Sequence, residues 1–589
     1  MSNTYLRLLV VCILLVLSGA VACSRQTPAT ASGPLVLRGG LLIDGTGRTP
    51  LENAVVVISN GKIETVGSEG AVQIPANATV IDTMGKAIIP GLVDTHIHLR
   101  DLMNPFFLYW GVTTVGDMGN PRGWILAERR EVETGRSVGP FIMTVGSMFN
   151  APLDPGEPAS RNERNGYDPS QFVFGNSHHF FVTDEASIEA RIAEAKKAGV
   201  DAIKLYTRAT PEMMRKAVEI GHRYGFTVFA HYTNGNARGG LFQGVDEILD
   251  TGLDVNVHLY GLIKSTVPPD VRDRIAKGEN VGEVYSLMDE NKLLDLARRM
   301  AEKKMFLNPT LHGFAPVSAH REEFEQAHRA FIEGPMARLL PEEFLPEYQK
   351  EYEPPKGDTA RQAEGYRKVR LFLKEFVNRG GKVIAGADTG EPMGLSLHAE
   401  MQMLQEAGLT PMQVIQAATS WGMEAWGKAD EAGTLEPGKR ADLMVLNRDP
   451  LGDISATRDI DMVLQAGKIV DRNALANWQD ALPRPTPDQS GIPNNFYHVP
   501  FINEVSPDLI AGSPSGSIEV TIRGENFTSK DVVVFNGQVV PVKFIDERRI
   551  TISLGSGLPK VLGTYPLIVM RTGSAGATSN VQYIVVEPE

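Results

Sequence analysis

Ala202-Ile203-Lys204-Leu205-Tyr206, then Pro211 to Tyr224, then Phe226-Thr227-Val228-Phe229-Ala230-His231, is the stretch on which the fold turns. Its outer pieces are apolar runs of strand length, and its middle repeats apolar residues three and four apart, the period of a helix. A helix between two strands makes the strands parallel, because antiparallel neighbours need only a tight turn. Outward from here apolar runs keep alternating with helical patterns, the signature of repeated βα units. The predicted fold class is α/β, a (β/α)8 TIM barrel over residues 90–426. In such barrels the strand ends at one face carry the chemistry, so polar residues that end apolar runs become the candidates.

Pro90-Gly91-Leu92-Val93-Asp94-Thr95-His96-Ile97-His98 is the strongest local motif. Histidines at i and i+2 of a strand share a face, which lets both imidazoles reach one cation. Lys204, His231 and His258 each end a later apolar run, at even spacing of about one βα unit. Asp388, in Val383-Ile384-Ala385-Gly386-Ala387-Asp388, ends what is predicted as strand eight. A buried lysine, two core histidines and a loop aspartate each have an ordinary structural explanation. Four of them at successive strand ends do not.

With Gly111-Val112-Thr113-Thr114-Val115-Gly116-Asp117-Met118-Gly119 and Gly433 to Leu443, these motifs resemble the amidohydrolase superfamily, in particular its imidazolonepropionase/prolidase-like group. The resemblance runs from about Leu35 to Asp471. It implies a binuclear hydrolase of amide bonds. His96, His98 and Asp388 would hold one divalent ion and His231 and His258 a second, with a bridging hydroxide between them. Asp388 would also be catalytic, carrying the proton to the leaving nitrogen. Zinc suits these donors best. Lys204 is expected to be carboxylated by carbon dioxide and to bridge the ions as a carbamate, because an ordinary lysine is a cation and repels them. Where the family usually has Thr before the last aspartate, this chain has Ala387.

Substrate contacts are read less sharply. Arg100 continues the strand face of His96 and His98, and a similar arginine in dihydroorotase-like relatives grips a carboxylate. Tyr206, Tyr232 and His312 follow strand ends and are candidates for the substrate mouth. His178-His179 is a weaker candidate, and His222, on a helix, reads as solvated. Between His258 and Asp388 lies far more chain than one βα unit, including a charged segment at about Ala319 to Phe376 that reads as a solvated helical hairpin narrowing the entrance.

The flanks read differently. Arg7, the apolar run Leu8 to Leu17 and the small residues Ser18 to Ala22 form a signal peptide over residues 1–22. Cys23 follows at once, the place at which a bacterial lipoprotein is acylated, although Ala20 stands where such signals usually have Leu, so simple cleavage after Ala22 is the alternative; residues 23–34 read as a tether. The expected location is exported, periplasmic or cell-envelope, with the membrane reached by a lipid anchor only. Short glycine-punctuated strands over residues 35–89 are echoed over residues 427–475, where Gly467-Lys468-Ile469 repeats Gly61-Lys62-Ile63. Neither end has enough strands to bury a face, so the two are predicted to pair as one composite β-sandwich. Residues 476–498 form a proline-rich linker. Residues 499–589, with Ile502-Asn503-Glu504-Val505-Ser506-Pro507 and Ile522-Arg523-Gly524-Glu525-Asn526-Phe527, resemble an IPT/TIG immunoglobulin-like β-sandwich.

Composition bounds the function. In 589 residues, 42% hydrophobic and 22% charged content is ordinary for a globular protein. A net charge of −13 without a basic face excludes a general nucleic-acid binder. The expected partner is a small-molecule or short peptide substrate, and a homo-oligomer stays open. Two other readings compete with the binuclear amide hydrolase. One is a mononuclear deaminase or imidazolonepropionase-like ring opener, which has no need of Lys204. The other is a catalytically silent cell-envelope binding protein on a disabled scaffold.

Overall fold

The computed structural model describes residues 33–99, 103–120, 122–135, 138–151, 179–206, 209–232, 244–268, 271, 281–339, 357–388, 392–476, 500–511, 516–525, 527–529, 531–536, 538–555, 563–571, 579 and 582–587. The expectations for the signal segment, Cys23, Arg100, His178 and the proline-rich linker lie outside these residues. Among the described residues, no helix is long and apolar enough to cross a membrane.

Strands from the two flanks lie in one sheet. Its path runs β17 (Lys468–Ile469), β16 (Ile460–Gln465), β15 (Leu443–Leu446), β5 (Ala87–Pro90), β1 (Leu35–Leu42), β2 (Leu51–Ser59), β3 (Lys62–Ser68), with β4 (Thr79–Asp82) paired to β1 off this path. The seam is β5 against β15, where Ile88 faces Val445. Both β2–β3 and β16–β17 turn in two residues with positive φ, Asn60 and Gly61 in one and Ala466 and Gly467 in the other. That geometry matches the right-handed twist of the strands, which is why the Gly-Lys-Ile echo in the sequence marks two like hairpins. They meet at Ala441, whose N–H donates to Gly61 O and whose O accepts from Gly467 N–H. The two flanks thus pair as one mixed eight-stranded sheet whose end hairpins meet.

The central part is parallel throughout. β6 (Leu92–Ile97), β7 (Val112–Asp117) and β8 (Phe141–Thr144) form one sheet. The second has the order β10 (His179–Phe181), β9 (Met148–Asn150), β11 (Ala202–Leu205), β12 (Thr227–Ala230), β13 (Val255–Val257), β14 (Phe306–Asn308). β8 and β9 are separated only by Val145-Gly146-Ser147, so the edge of one sheet runs into the other. At the far side residues 383–388 touch both: Val383 bridges to Leu307 and Asp388 to Ile97, each in parallel sense. The helix Pro211–Arg223 between β11 and β12 starts where Thr210 Oγ1 caps Met213 N–H and buries Met214, Ala217, Val218 and Ile220 on the sheet.

The charged segment after β14 contains helices Arg321–Glu333 and Thr359–Asn378. The second is not a solvated arm. Tyr366, Val369, Phe372, Leu373 and Phe376 form a buried stripe that packs in the main core beside helix Glu290–Glu302. Charge density disguised that stripe, although its spacing of three and four is helical.

Residues 501–587 fold as two sheets, in the orders β18 (Phe501–Ser506), β20 (Ile518–Glu525), β24 (Arg549–Leu554), β23 (Val542–Asp546) and β19 (Leu509–Ala511), β26 (Gln582–Glu587), β25 (Gly563–Arg571), β21 (Asp531–Phe535), β22 (Gln538–Val540). Ile502, Val520, Ile522, Ile550, Val569 and Ile584 fill the core between them. This unit rests on helix Arg122–Glu133, where the buried Arg122 guanidinium meets Asp508 Oδ1 at 2.7 Å.

Candidate metal centre

The strand ends converge as the spacing implied. His96, next to last in β6, and Lys204, third residue of β11, are both buried, with Lys204 Nζ 3.4 Å from His96 Nε2. Asp388 Oδ1 lies 3.4 Å from His96 Nε2 and 3.5 Å from His98 Nε2, and its Oδ2 lies 3.8 Å from His258 Nε2. One donor atom each from His96, His258 and Asp388 fall within 4.8 Å of one another. His231 joins from the end of β12, its ring 4.3 Å from that of His258, centroid to centroid.

The electrostatics suit a cation that the residues themselves do not supply. Burial first, and the Lys204 charge second, hold His96 and His258 well below the usual imidazole range, so both rings are neutral. Burial also lowers Lys204 to about 8, against the pull of Asp388 and Asp117. Asp94 is fully buried two residues before His96 and pushed up to about 7 by desolvation; its Oδ1 accepts from Ala387 and His96 N–H. Neutral imidazoles and a carboxylate around one point form the donor set of a divalent ion, so these residues fit a metal.

Backbone strain marks the same place. His258, Thr310 and Asp388 have φ of 66°, 49° and 58°, in the left-handed region that non-glycine residues seldom adopt. Gly386 lets residues 383–388 pass: a Cβ there would come within 2.9 Å of both His96 Cβ and Asn308 Nδ2.

Of the substrate candidates, Tyr206 stands edge-on to His231, with ring centroids 5.0 Å apart. Tyr232 is buried and its hydroxyl donates to Glu247 Oε2 at 3.4 Å, so the structure spends that group away from the histidines. His312 is half-buried in the turn after β14. His222 is exposed and pairs with Asp254 at 2.8 Å, in keeping with a solvated helix position. Sequence reasoning missed Asn308, Thr310 and Tyr260. The first two end the run Met305-Phe306-Leu307, a signal like the one that found the histidines; Tyr260 stacks on His231 with centroids 6.0 Å apart.

Comparison with known proteins agrees with this geometry. An enamidase from Eubacterium barkeri is 26% identical over 279 residues, 45% of this chain and 66% of its own. A dihydroorotase from Trichlorobacter lovleyi is 39% identical over 67 residues, 11% of this chain and 15% of its own. The chain therefore spans less than two thirds of the length of these curated relatives. The solved structure of a molinate hydrolase superposes with a TM-score of 0.53 at 22% identity, covering 77% of this chain and 98% of that one, and so shares the fold. The IPT/TIG domain model matches residues 500–585. The amidohydrolase family model matches residues 87–470, which contain every described member of the centre, and the chain belongs to that family.

Proposed function

We propose that the chain is a metal-dependent hydrolase of carbon–nitrogen bonds, acting on short peptides or N-acyl amino acids, with cyclic amides next, on a closed (β/α)8 barrel. The observation that carries this is the meeting of the buried His96, Lys204 and His258, from the ends of β6, β11 and β13, with the part-exposed Asp388 of residues 383–388. The likeness to an enamidase supports C–N chemistry, and the hydrogen bonds of residues 383–388 to both β14 and β6 support closure.

His96, His98 and Asp388 would hold one ion and His231 and His258 a second. Divalent ions there, zinc first among them, lower the pKa of water and polarise the scissile carbonyl. Asp388 is the carboxylate of the cluster, with about a third of its side chain, 31%, open to solvent. It takes the proton of the attacking water and passes it to the nitrogen as the C–N bond breaks. Tyr206, beside His231, orients the substrate. Lys204 would add carbon dioxide: its neutral amine would form an N–C bond as one C=O π bond opens and the nitrogen gives up a proton to water, and the anionic carbamate would offer oxygen donors to the ions. This removes a cation from a site built for cations.

A second reading is favoured by the convergence of one donor atom each from His96, His258 and Asp388, all within 4.8 Å of one another. That arrangement suits a single ion and a deaminase or imidazolonepropionase-like ring opener. Metal counting on the purified, zinc-loaded protein separates the two, about two ions per chain against one. The same preparation is to be screened against dipeptide, N-acyl amino acid and cyclic amide libraries. Release of an amine from the first two sets is expected; deamination alone would replace this proposal with the second reading.

A further inference from the structure

We infer that Asn308 and Thr310, at the end of β14, hold His96 and His258 in the tautomer whose Nε2 presents its lone pair to the centre, so that a strand giving no ligand decides how two ligands bind. The inference deepens the reading of this cluster as a metal centre and rests on it.

The argument is one of donor and acceptor balance. Asn308 Oδ1 lies 2.7 Å from His96 Nδ1. Which way the amide faces follows from its other partners: Nδ2 is 3.0 Å from Ile384 O and 3.3 Å from Thr95 Oγ1. The Thr95 hydroxyl already donates to Ala385 O at 2.6 Å, so toward Asn308 it only accepts. Flipping the amide would set an oxygen against two acceptors. Asn308 therefore shows an oxygen to His96, and Nδ1 must carry the proton. The other nitrogen, Nε2, is the atom that faces Lys204 and Asp388.

Thr310 does the same for His258. Its Oγ1 donates to Pro309 O at 2.8 Å and lies 2.6 Å from His258 Nδ1. With its proton committed, the hydroxyl accepts from Nδ1–H, and Nε2 again turns to Asp388. The backbone sets both groups in place: His258 N–H donates to Asn308 O at 2.8 Å, and Leu311 N–H donates to the buried Glu400 Oε2 at 2.7 Å. Glu400 thus anchors the turn in which Thr310 takes its left-handed conformation. An imidazole in the wrong tautomer would oppose lone pair to oxygen at these distances. Such a buried unmade hydrogen bond is destabilising, and Asn308 is fully buried.

The test is competition for zinc between a chromophoric chelator and the whole mature protein. Asn308→Leu and Thr310→Val keep nearly the same volume and remove the acceptor, and each is expected to weaken zinc about 10- to 100-fold, the usual effect of losing such an outer partner. Thr310→Ser, which keeps the hydroxyl, is expected to restore affinity to the parent's. Melting of the metal-free proteins separates affinity from folding: Thr310→Val, even if it melts lower than Thr310→Ser, should still melt in one cooperative transition above the assay temperature while binding zinc more weakly. Should Asn308→Leu fail to fold, the Thr310 pair decides alone. Folded variants that bind zinc as the parent does would overturn the inference and leave the metal reading standing. A parent that binds no zinc overturns both.

Discussion

Lys204 carries the sharpest tension between charge and place. A buried amine 3.4 Å from an imidazole, beside groups that suit a cation, is pushed toward its neutral form by burial, to about 8, while Asp388 and Asp117 oppose the shift. Lys204→Ala is expected to lose one of two metals and most turnover, with partial rescue by a short carboxylic acid that fills the vacated volume. Metal analysis and rate measurements with and without the acid check this. A variant with both metals and near-full turnover would remove the carbamate. Lys204, His231, His258 and Asp388 were legible because each ends an apolar run with a chemically distinctive side chain. Asn308 and Thr310 end one as well, but an amide and a hydroxyl are common there for other reasons, and their role appears only once donors and acceptors are counted. The left-handed backbone at His258, Thr310 and Asp388 leaves no mark in the sequence, since none is a glycine.

At the scale of elements, the βαβ stretch and the paired Gly-Lys-Ile hairpins could be read because period and turn chemistry agreed. Helix Thr359–Asn378 was misread because its outer face is dense in Arg, Lys and Glu. Helix Leu395–Glu406 shows a different economy, being buried almost throughout. Its His398 Nε2–H donates to Trp110 O at 2.9 Å and its Nδ1 faces Thr457 Oγ1 at 2.9 Å. Burial, with Arg458 and Arg472 nearby, depresses His398 from 6.5 to about 3. The folded ring therefore stays neutral where the unfolded one gains a proton. The contribution to stability is complete above about pH 6.5, falls as pH drops toward 3, and changes no further below; each unit is worth about 1.4 kcal/mol. His398→Gln should flatten this part of the profile. Urea midpoints at pH 8, 6 and 4.5 are expected to fall more steeply for the parent than for the variant; parallel falls would remove His398 as the cause.

For the whole molecule, Arg122 is where the family domain and the C-terminal sandwich touch. Its guanidinium is buried against Asp508, with Glu194 at 3.8 Å as a weaker second partner. Removing the carboxylate leaves a buried charge only partly compensated, which costs up to about 3 kcal/mol. Asp508→Ala is expected to lower the urea midpoint and to expose the residues 500–585 to protease before the rest. Unchanged cleavage would show the contact to be incidental. A separate C-terminal sandwich was legible from its short strands and IPT/TIG-like motifs, but this contact was not, because nothing in a sequence says which helix a sandwich will rest on.

The seam between β5 and β15 also sets an order in time. Chains grow from the N-terminus at about 5–20 residues per second, and Ile88 and its partner Val445 lie roughly 350 residues apart, so tens of seconds pass between their syntheses. Through that interval the apolar edge of β5 has a neighbour on one side only, β1. A nascent chain in this state cannot complete its first-made sheet, and any polypeptide stopped before Leu443 keeps that edge uncovered. The first-made sheet is thus completed late, with the last strands of the family domain sealing the first.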